Sequence, residues 1–212
     1  LTLDAAGRID LSADDNGEVR LFDGSSNYGQ FKDDDDRFKI QGLIADKAML
    51  FVVNNGGSEA TPMVLDSTGA VTKPLQPAFC VNPTSTQSNM NTNVDVAFGT
   101  ERFDIGSNFA TPNFTAPVTG KYQLQFSFRL EGISTAMDFF RMTLKTSNNN
   151  YELLHDPGAY SGNPAYQFMS MSVLADMDAS DTAHIEFDFG GVSDPSTADI
   201  RVASFFSGFL AC

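Results

Sequence analysis

The sequence predicts an all-β chain in two parts, and three observations carry that prediction. Short stretches alternate apolar and polar residues, and nothing in residues 1–76 sustains the 3.6-residue period of a helix. Clusters of Gly, Asp, Asn and Pro separate these stretches as turn chemistry would. The composition then changes at Lys73-Pro74-Leu75-Gln76-Pro77: 15 of the 19 phenylalanines lie beyond it. Two prolines remove ladder donors and stiffen a linker. The expected division is a short-strand repeat over 1–73, a Pro linker over 74–77 and a β-sandwich over 78–212.

The first part repeats a phrase. Leu3-Asp4-Ala5-Ala6-Gly7-Arg8-Ile9 returns as Leu65-Asp66-Ser67-Thr68-Gly69-Ala70-Val71, with a looser copy from Asp14 through Gly17 to Val19. Asp opens a turn by accepting hydrogen bonds from the backbone ahead of it. Gly three residues on takes a positive φ without strain, and the β-branched residue starts the next strand. Each copy reads as strand, hairpin turn, strand. Apolar pairs mark the strands: Leu1 and Leu3, Ile9 and Leu11, Val19 and Leu21, Phe38 and Ile40, Phe51 and Val53, then Val71. Turns are expected at Asp23–Ser26, Asp33–Asp36 and Asn54–Gly57. Strands this short bury little alone, and the predicted core is thin. Several copies around one axis would cover each other's apolar edges. Asp33-Asp34-Asp35-Asp36 reads as an exposed turn rather than a cation site, because four like charges repel. The Asp14 turn lacks EF-hand spacing, since the required Gly would fall on Val19.

The second part has clearer strands. In Lys121–Leu130, Tyr122, Leu124, Phe126, Phe128 and Leu130 alternate with polar residues. Ala183–Phe189 repeats the pattern through Ile185, Phe187 and Phe189, and Phe140, Met142 and Leu144 give a third strand. Val173 lies in a fourth, and Ile200–Leu210 is expected as one last strand. Successive strands without intervening helices predict a sandwich.

Charge and composition exclude several classes. The chain of 212 residues carries a formal net charge of −14. Residues 1–76 hold 7 basic and 13 acidic side chains, and residues 77–212 hold 6 and 14, so both parts are acidic. No nucleic-acid partner is expected. There is no charged-then-apolar leader, the longest apolar run is Ala48–Val53, and no membrane insertion is expected. A first residue of Leu predicts a piece of a longer chain. Cys80 and Cys212 make no disulfide scaffold and no zinc spacing. Asn113-Phe114-Thr115 fits a glycosylation sequon by chance.

Phe114-Thr115-Ala116-Pro117-Val118-Thr119-Gly120-Lys121-Tyr122 is similar to the signature of the complement C1q head and tumour-necrosis-factor-like superfamily, Phe-x-x-Pro-x-x-Gly-x-Tyr. Pro77-Ala78-Phe79, Ser172-Val173-Leu174 with its acidic turn to Asp181, and Ser207-Gly208-Phe209-Leu210 match in the same order. The resemblance covers about residues 77–212. It implies a ten-stranded jelly roll that assembles as a homotrimer with aromatic residues at the threefold axis. It also implies that Phe79 and Phe209 lie on neighbouring strands, which makes Cys80 and Cys212 a possible disulfide, although a reducing cytosol opposes it. Some members bind calcium ahead of the Ser172 strand, where Asp156 and Gln167 stand here. One carboxylate per chain is thin for a site of about six to eight oxygens, although threefold symmetry would supply three. Residues 1–73 resemble the β-repeat shaft of bacteriophage tail fibres.

Together these resemblances imply a non-enzymatic fibre or tail-appendage tip on a virion. Its head would attach to a host surface glycan or protein receptor, and other virion proteins would adjoin its N-terminal side. Tyr151, His155, Asp156, Tyr160, Asn163 and Tyr166 are the expected recognition residues, since aromatic rings stack on sugars beside polar acceptors. They serve equally well as loop and rim residues of a trimer. A purely structural virion part and a polysaccharide-degrading spike remain alternatives. For the spike, Glu186 and Asp188 share a strand face roughly 6 to 7 Å apart, which an exposed polar face also gives. A secreted C1q-like protein is disfavoured by the absence of Gly-x-y repeats.

Overall fold

A computed structural model describes residues 18–212. The expected strands at Leu1, Leu3, Ile9 and Leu11 and the turns opened by Asp4 and Asp14 lie outside the described residues. The chain forms two compact units that divide after Pro74.

In the first unit, β1 (Glu18–Asp23), β2 (Ser26–Asp33) and β3 (Phe38–Gly42) form one antiparallel sheet. A second sheet holds β4 (Met49–Asn55), β5 (Ser58–Leu65) and β6 (Val71–Thr72). The central strands β2 and β5 were not marked by apolar pairs, because polar residues, glycine and proline interrupt their pattern. The phrase at Leu65–Val71 forms the hairpin turn its chemistry predicts. The Asp66 carboxylate accepts the Thr68 N–H at 2.9 Å and hydroxyl at 2.7 Å. Gly69 has φ +90° and donates its N–H to the Asp66 carbonyl. These donors hold the Asp66 carboxyl below its ordinary pKa, the Thr68 N–H first among them. The Asp33–Asp36 run is a turn in which two of the four charges are matched locally. Asp34 pairs with Lys32 at 3.7 Å and Lys39 at 3.5 Å, and Asp35 with Arg37 at 3.7 Å.

The second unit is a sandwich of two antiparallel sheets. Its strands are β7 (Ala78–Asn82), β8 (Val94–Asp95), β9 (Thr100–Ile105), β10 (Phe109–Ala110), β11 (Asn113–Thr115) and β12 (Gly120–Glu131). They continue with β13 (Phe139–Thr146), β14 (Asn150–His155), β15 (Gln167–Met177), β16 (Thr182–Gly190), β17 (Asp199–Ile200) and β18 (Phe205–Leu210). One sheet runs β10-β11-β16-β13-β14 with β8 beside β16. The other runs β15-β12-β18-β7-β9 with β17 beside β12. This crossing of the chain between sheets is a jelly roll.

The core lies between the sheets. Tyr122, Leu124, Phe126, Phe128 and Leu130 on β12 are all buried, as their alternation predicts. Phe79 ties the sheets together: its ring lies 4.5 Å from Phe114 and 4.9 Å from Phe206. Full burial of one such side chain contributes about 1.5–3 kcal/mol.

Two expectations are corrected. Ile200–Leu210 is not one strand. Ile200 pairs with Leu130, and Phe205 with Ser127. Five steps on one strand thus face three on the other, and Arg201–Ser204 loops out, closed by the Ser204 N–H to the Arg201 carbonyl at 2.9 Å. Glu186 and Asp188 do share a strand face, but that face is buried. Asp188 accepts from Arg141 Nη2 at 2.6 Å and from the Thr92 hydroxyl at 2.5 Å, and Glu186 accepts from Lys145 Nζ at 2.6 Å.

Candidate functional site

The stretch from Phe114 to Tyr122 carries the chain from one sheet to the other. Tyr122 is buried to its hydroxyl, which donates to the Val118 carbonyl at 2.7 Å. Burial pushes the Tyr122 phenol pKa up. Gly120 has no room for a side chain: a Cβ would lie 2.5 Å from the Cys212 carbonyl oxygen. That oxygen accepts the Lys121 N–H at 2.7 Å, so the chain end is stitched against β12. The Thr119 hydroxyl accepts the Ala179 N–H at 3.1 Å and anchors the turn before β16.

The six expected recognition residues do not form one cluster. Tyr151 lies at the start of β14, opposite Leu144 and against the core. His155 lies at the other end, roughly 13 Å along the strand. His155 is gathered with Tyr160 and Gln167. The Tyr160 hydroxyl donates to Gln167 Oε1 at 2.7 Å and lies 2.5 Å from His155 Nε2, with the rings stacked at 5.3 Å. Asp156 caps the helical turn Pro157–Ala159 by accepting the Gly158 N–H at 2.8 Å. Asn163 Oδ1 accepts from the Thr135 N–H at 2.8 Å and hydroxyl at 2.9 Å, tethering its loop. Tyr166 is exposed beneath the Arg129 guanidinium, 4.8 Å from its ring. Arg129 in turn donates to Glu131 at 2.5 Å, and Arg201 Nε lies 3.5 Å from the same carboxylate oxygen.

A different surface stands out: the outer face of the β15-β12-β18-β7-β9 sheet. Register sets Leu174, Gln123, Phe209, Ala78 and Ile105 in one cross-strand row. Ser172, Gln125, Ser207, Cys80 and Phe103 form the next. Leu174 is 57% exposed, Phe103 51% and Phe209 48%, and Phe168 on the same face of β15 is 64% exposed. The polar members bond to each other, Gln123 to Ser172 at 2.7 Å and Gln125 to Ser207 at 3.1 Å. A concavity of about 310 Å³ lies between Phe103, Phe209 and the two glutamines. Phe103 and Phe168 were not singled out from sequence. For Phe168 the available signal was an apolar residue at the outward parity of a strand whose inward parity was already apolar; Phe103, between Arg102 and Asp104, gave no such signal.

Residues 78–211 match the family model described as C1q domain. The chain belongs to the C1q domain family. Among solved structures, the globular domain of zebrafish complement 1qA is 20% identical, with a TM-score of 0.49, over 65% of this chain and 98% of that one. Murine APRIL at pH 8.5 is 9% identical, with a TM-score of 0.47, over 64% and 98%. A comparison with curated protein sequences finds no match.

Within this C1q domain, Asp156 and Gln167 each already hold a local contact. The Asp156 oxygen already accepts the Gly158 N–H, and the Gln167 oxygen accepts from Tyr160. Among the described residues, no group of three or more His, Cys, Asp or Glu side chains could hold a metal. Cys80 and Cys212 are both free. Cys80 faces Ser207, and Cys212 lies five residues further on, roughly 16 Å away at strand rise. Burial pushes the Cys80 thiol pKa up, against a smaller opposing pull from Arg102, so it is a poor nucleophile. Among the described residues, no helix is long and apolar enough to cross a membrane.

Proposed function

We propose that this chain is the tip of a virion fibre or tail appendage. Its C1q head is a non-enzymatic homotrimer that attaches to a host surface glycan or protein receptor. The N-terminal β-repeat serves as the shaft toward other virion proteins. The observation that carries the trimer is the outer sheet face with Phe103, Phe168, Leu174 and Phe209. A sheet face meant for water is polar, whereas this one presents large apolar side chains in register. Membership of the C1q domain family supports a binding module. Glu186 and Asp188, the carboxylate pair a glycosidase reading would use, are engaged by Lys145, Arg141 and Thr92, which supports the non-enzymatic reading. Display of three copies turns a weak contact into useful avidity. The loop group around His155, Tyr160 and Tyr166 offers aromatic rings for such a contact.

Light scattering tests the assembly. The expected mass is close to three times 22.9 kDa, and a monomer at micromolar concentration overturns the trimer. Labelled protein applied to intact host cells tests attachment. Saturable binding weakened by Tyr166→Ala is expected. A trimer that binds no cell would overturn attachment and leave a structural virion part.

A further inference from the structure

We propose that β18, β7 and β9 open and close as one unit against the rest of the head, and that the surface carrying Phe103 and Phe209 exists only while this unit is shut.

Sheet order sets these strands apart. β7 and β9 are joined to β12 through β18, which lies between β12 and β7. The ladder of β7 with β18 is short, from Val81 opposite Phe206 to Ala78 opposite Phe209. That of β7 with β9 shifts register between Cys80 and Val81, and no residue of β9 is buried. The main ladders of the rest are longer and unbroken. β12 pairs β15 from Gly120 opposite Met177 to Leu130 opposite Gln167, and β13 pairs β16 from Phe139 opposite Gly190 to Thr146 opposite Ala183. Regions with short ladders and little burial open at the lowest free energy.

Side chains tie the three strands to each other. Asn82 on β7 is buried. Its Nδ2 donates to the Ser204 carbonyl beside β18 at 2.6 Å, and its Oδ1 accepts from Arg102 Nε on β9 at 2.7 Å. Phe79 on β7 meets Phe206 on β18 edge to face at 4.9 Å. The Pro77 carbonyl ahead of β7 accepts the Leu210 N–H at 3.0 Å. Withdrawing β18 alone strips the buried Asn82 amide of its acceptor, which is costly. Withdrawing the three strands together keeps that chain of bonds. The joint opening breaks the β12–β18 ladder, the Gln125–Ser207 and Arg129–Ser204 hydrogen bonds and the contact of Phe79 with Phe114. The three strands share these losses, so they share one opening free energy.

The concavity of about 310 Å³ is walled by Phe103 on β9 and Phe209 on β18 on one side and by Gln123 and Gln125 on β12 on the other. Opening the unit divides it. Under the trimeric reading above, on which this consequence rests, assembly selects the shut form and slows the opening.

The experiment uses the full chain, with amide hydrogen exchange on each strand at rising low denaturant and mass by light scattering. The slowest amides of β18, β7 and β9 are expected to converge on one exchange rate, at least about 100-fold faster than in β12, β13 and β16. Separate rates for β18 and β9, or β7 exchanging with β12, overturn the unit. Arg102→Ala alters an exposed residue of the edge strand. It should speed exchange in β9 and in β18, two strands away, by the same factor of at least about three; unchanged exchange in β18 overturns the coupling. Raising the protein concentration from mostly monomer to mostly trimer should slow all three strands at least about tenfold. A trimer that leaves their exchange unchanged overturns the dependence of the surface on closure. A wild type that stays monomeric sinks the trimeric reading instead, and the shared rate and Arg102→Ala still decide the unit.

Discussion

The two units treat the same kinds of side chain in opposite ways. On β12 in the head, five alternating apolar residues are sealed between two sheets. On β4 in the N-terminal unit, a run of Leu50, Phe51, Val52 and Val53 faces solvent on both sides. Hydrophobic content therefore does not separate them; a second layer does. The head supplies its own second layer by passing the chain from sheet to sheet at Phe114–Tyr122. The described residues of the N-terminal unit form adjacent hairpins, which extend a sheet but do not cover it. A hairpin pattern fixes local pairing, and burial needs a partner from elsewhere.

The largest test of this difference is a core truncation. Phe126→Ala should cost the head about 3–5 kcal/mol, seen as a drop in its thermal midpoint. The same change at half-exposed Phe51 in a chain held monomeric should cost less than about 1 kcal/mol. Asp188→Ala comes next. It removes the buried acceptor of Arg141 Nη2 and Thr92, while Arg141 Nη1 keeps Glu152 at 3.1 Å, and should cost the head about 1–3 kcal/mol by denaturant unfolding. Gly120→Ala forces a Cβ against the Cys212 carbonyl and should cost about 1–3 kcal/mol. Removing Ala211 and Cys212 should recover part of that loss, and no recovery would show that the clash lies elsewhere.

Smaller effects separate individual groups. Exposed Cys212 should react with a thiol reagent at least about tenfold faster than Cys80, whose thiol burial holds protonated. Equal rates would mean that β7 opens readily. The smallest effect lies in the β5–β6 turn. The Asp66 pKa is depressed in the folded turn, so its contribution is present above the unfolded value, about 3.9. It is lost as pH falls through the lower folded value. Gly69 amide exchange, corrected for intrinsic pH dependence, should rise as pH falls below about 4, and Asp66→Asn should blunt that rise.

Much of the fold was legible. Alternation located β12, β13 and β16, and the Asp-Ser-Thr-Gly turn was readable because its bonds are local. β2 and β5 were missed because central strands of small sheets need no apolar alternation when neither face is sealed. The candidate surface was less legible. Tyr151 and His155 were grouped as loop residues, yet β14 pairing with β13 sets them at opposite strand ends. Cys80 and Cys212 seemed neighbours because their strands pair; register put Ser207 opposite Cys80 instead.

By itself the sequence determined the all-β class, the inward faces of the longest strands, the hairpin turn at Asp66 and the signature from Phe114 to Tyr122. These follow from period-two patterning and from contacts within a few residues. Only the tertiary structure decided that Glu186 and Asp188 are sealed in ion pairs, that Phe103 and Phe209 share an exposed face, and that residues 18–74 lack a core. Those facts depend on register and on which sheet covers which, and both are set by residues far apart in the chain.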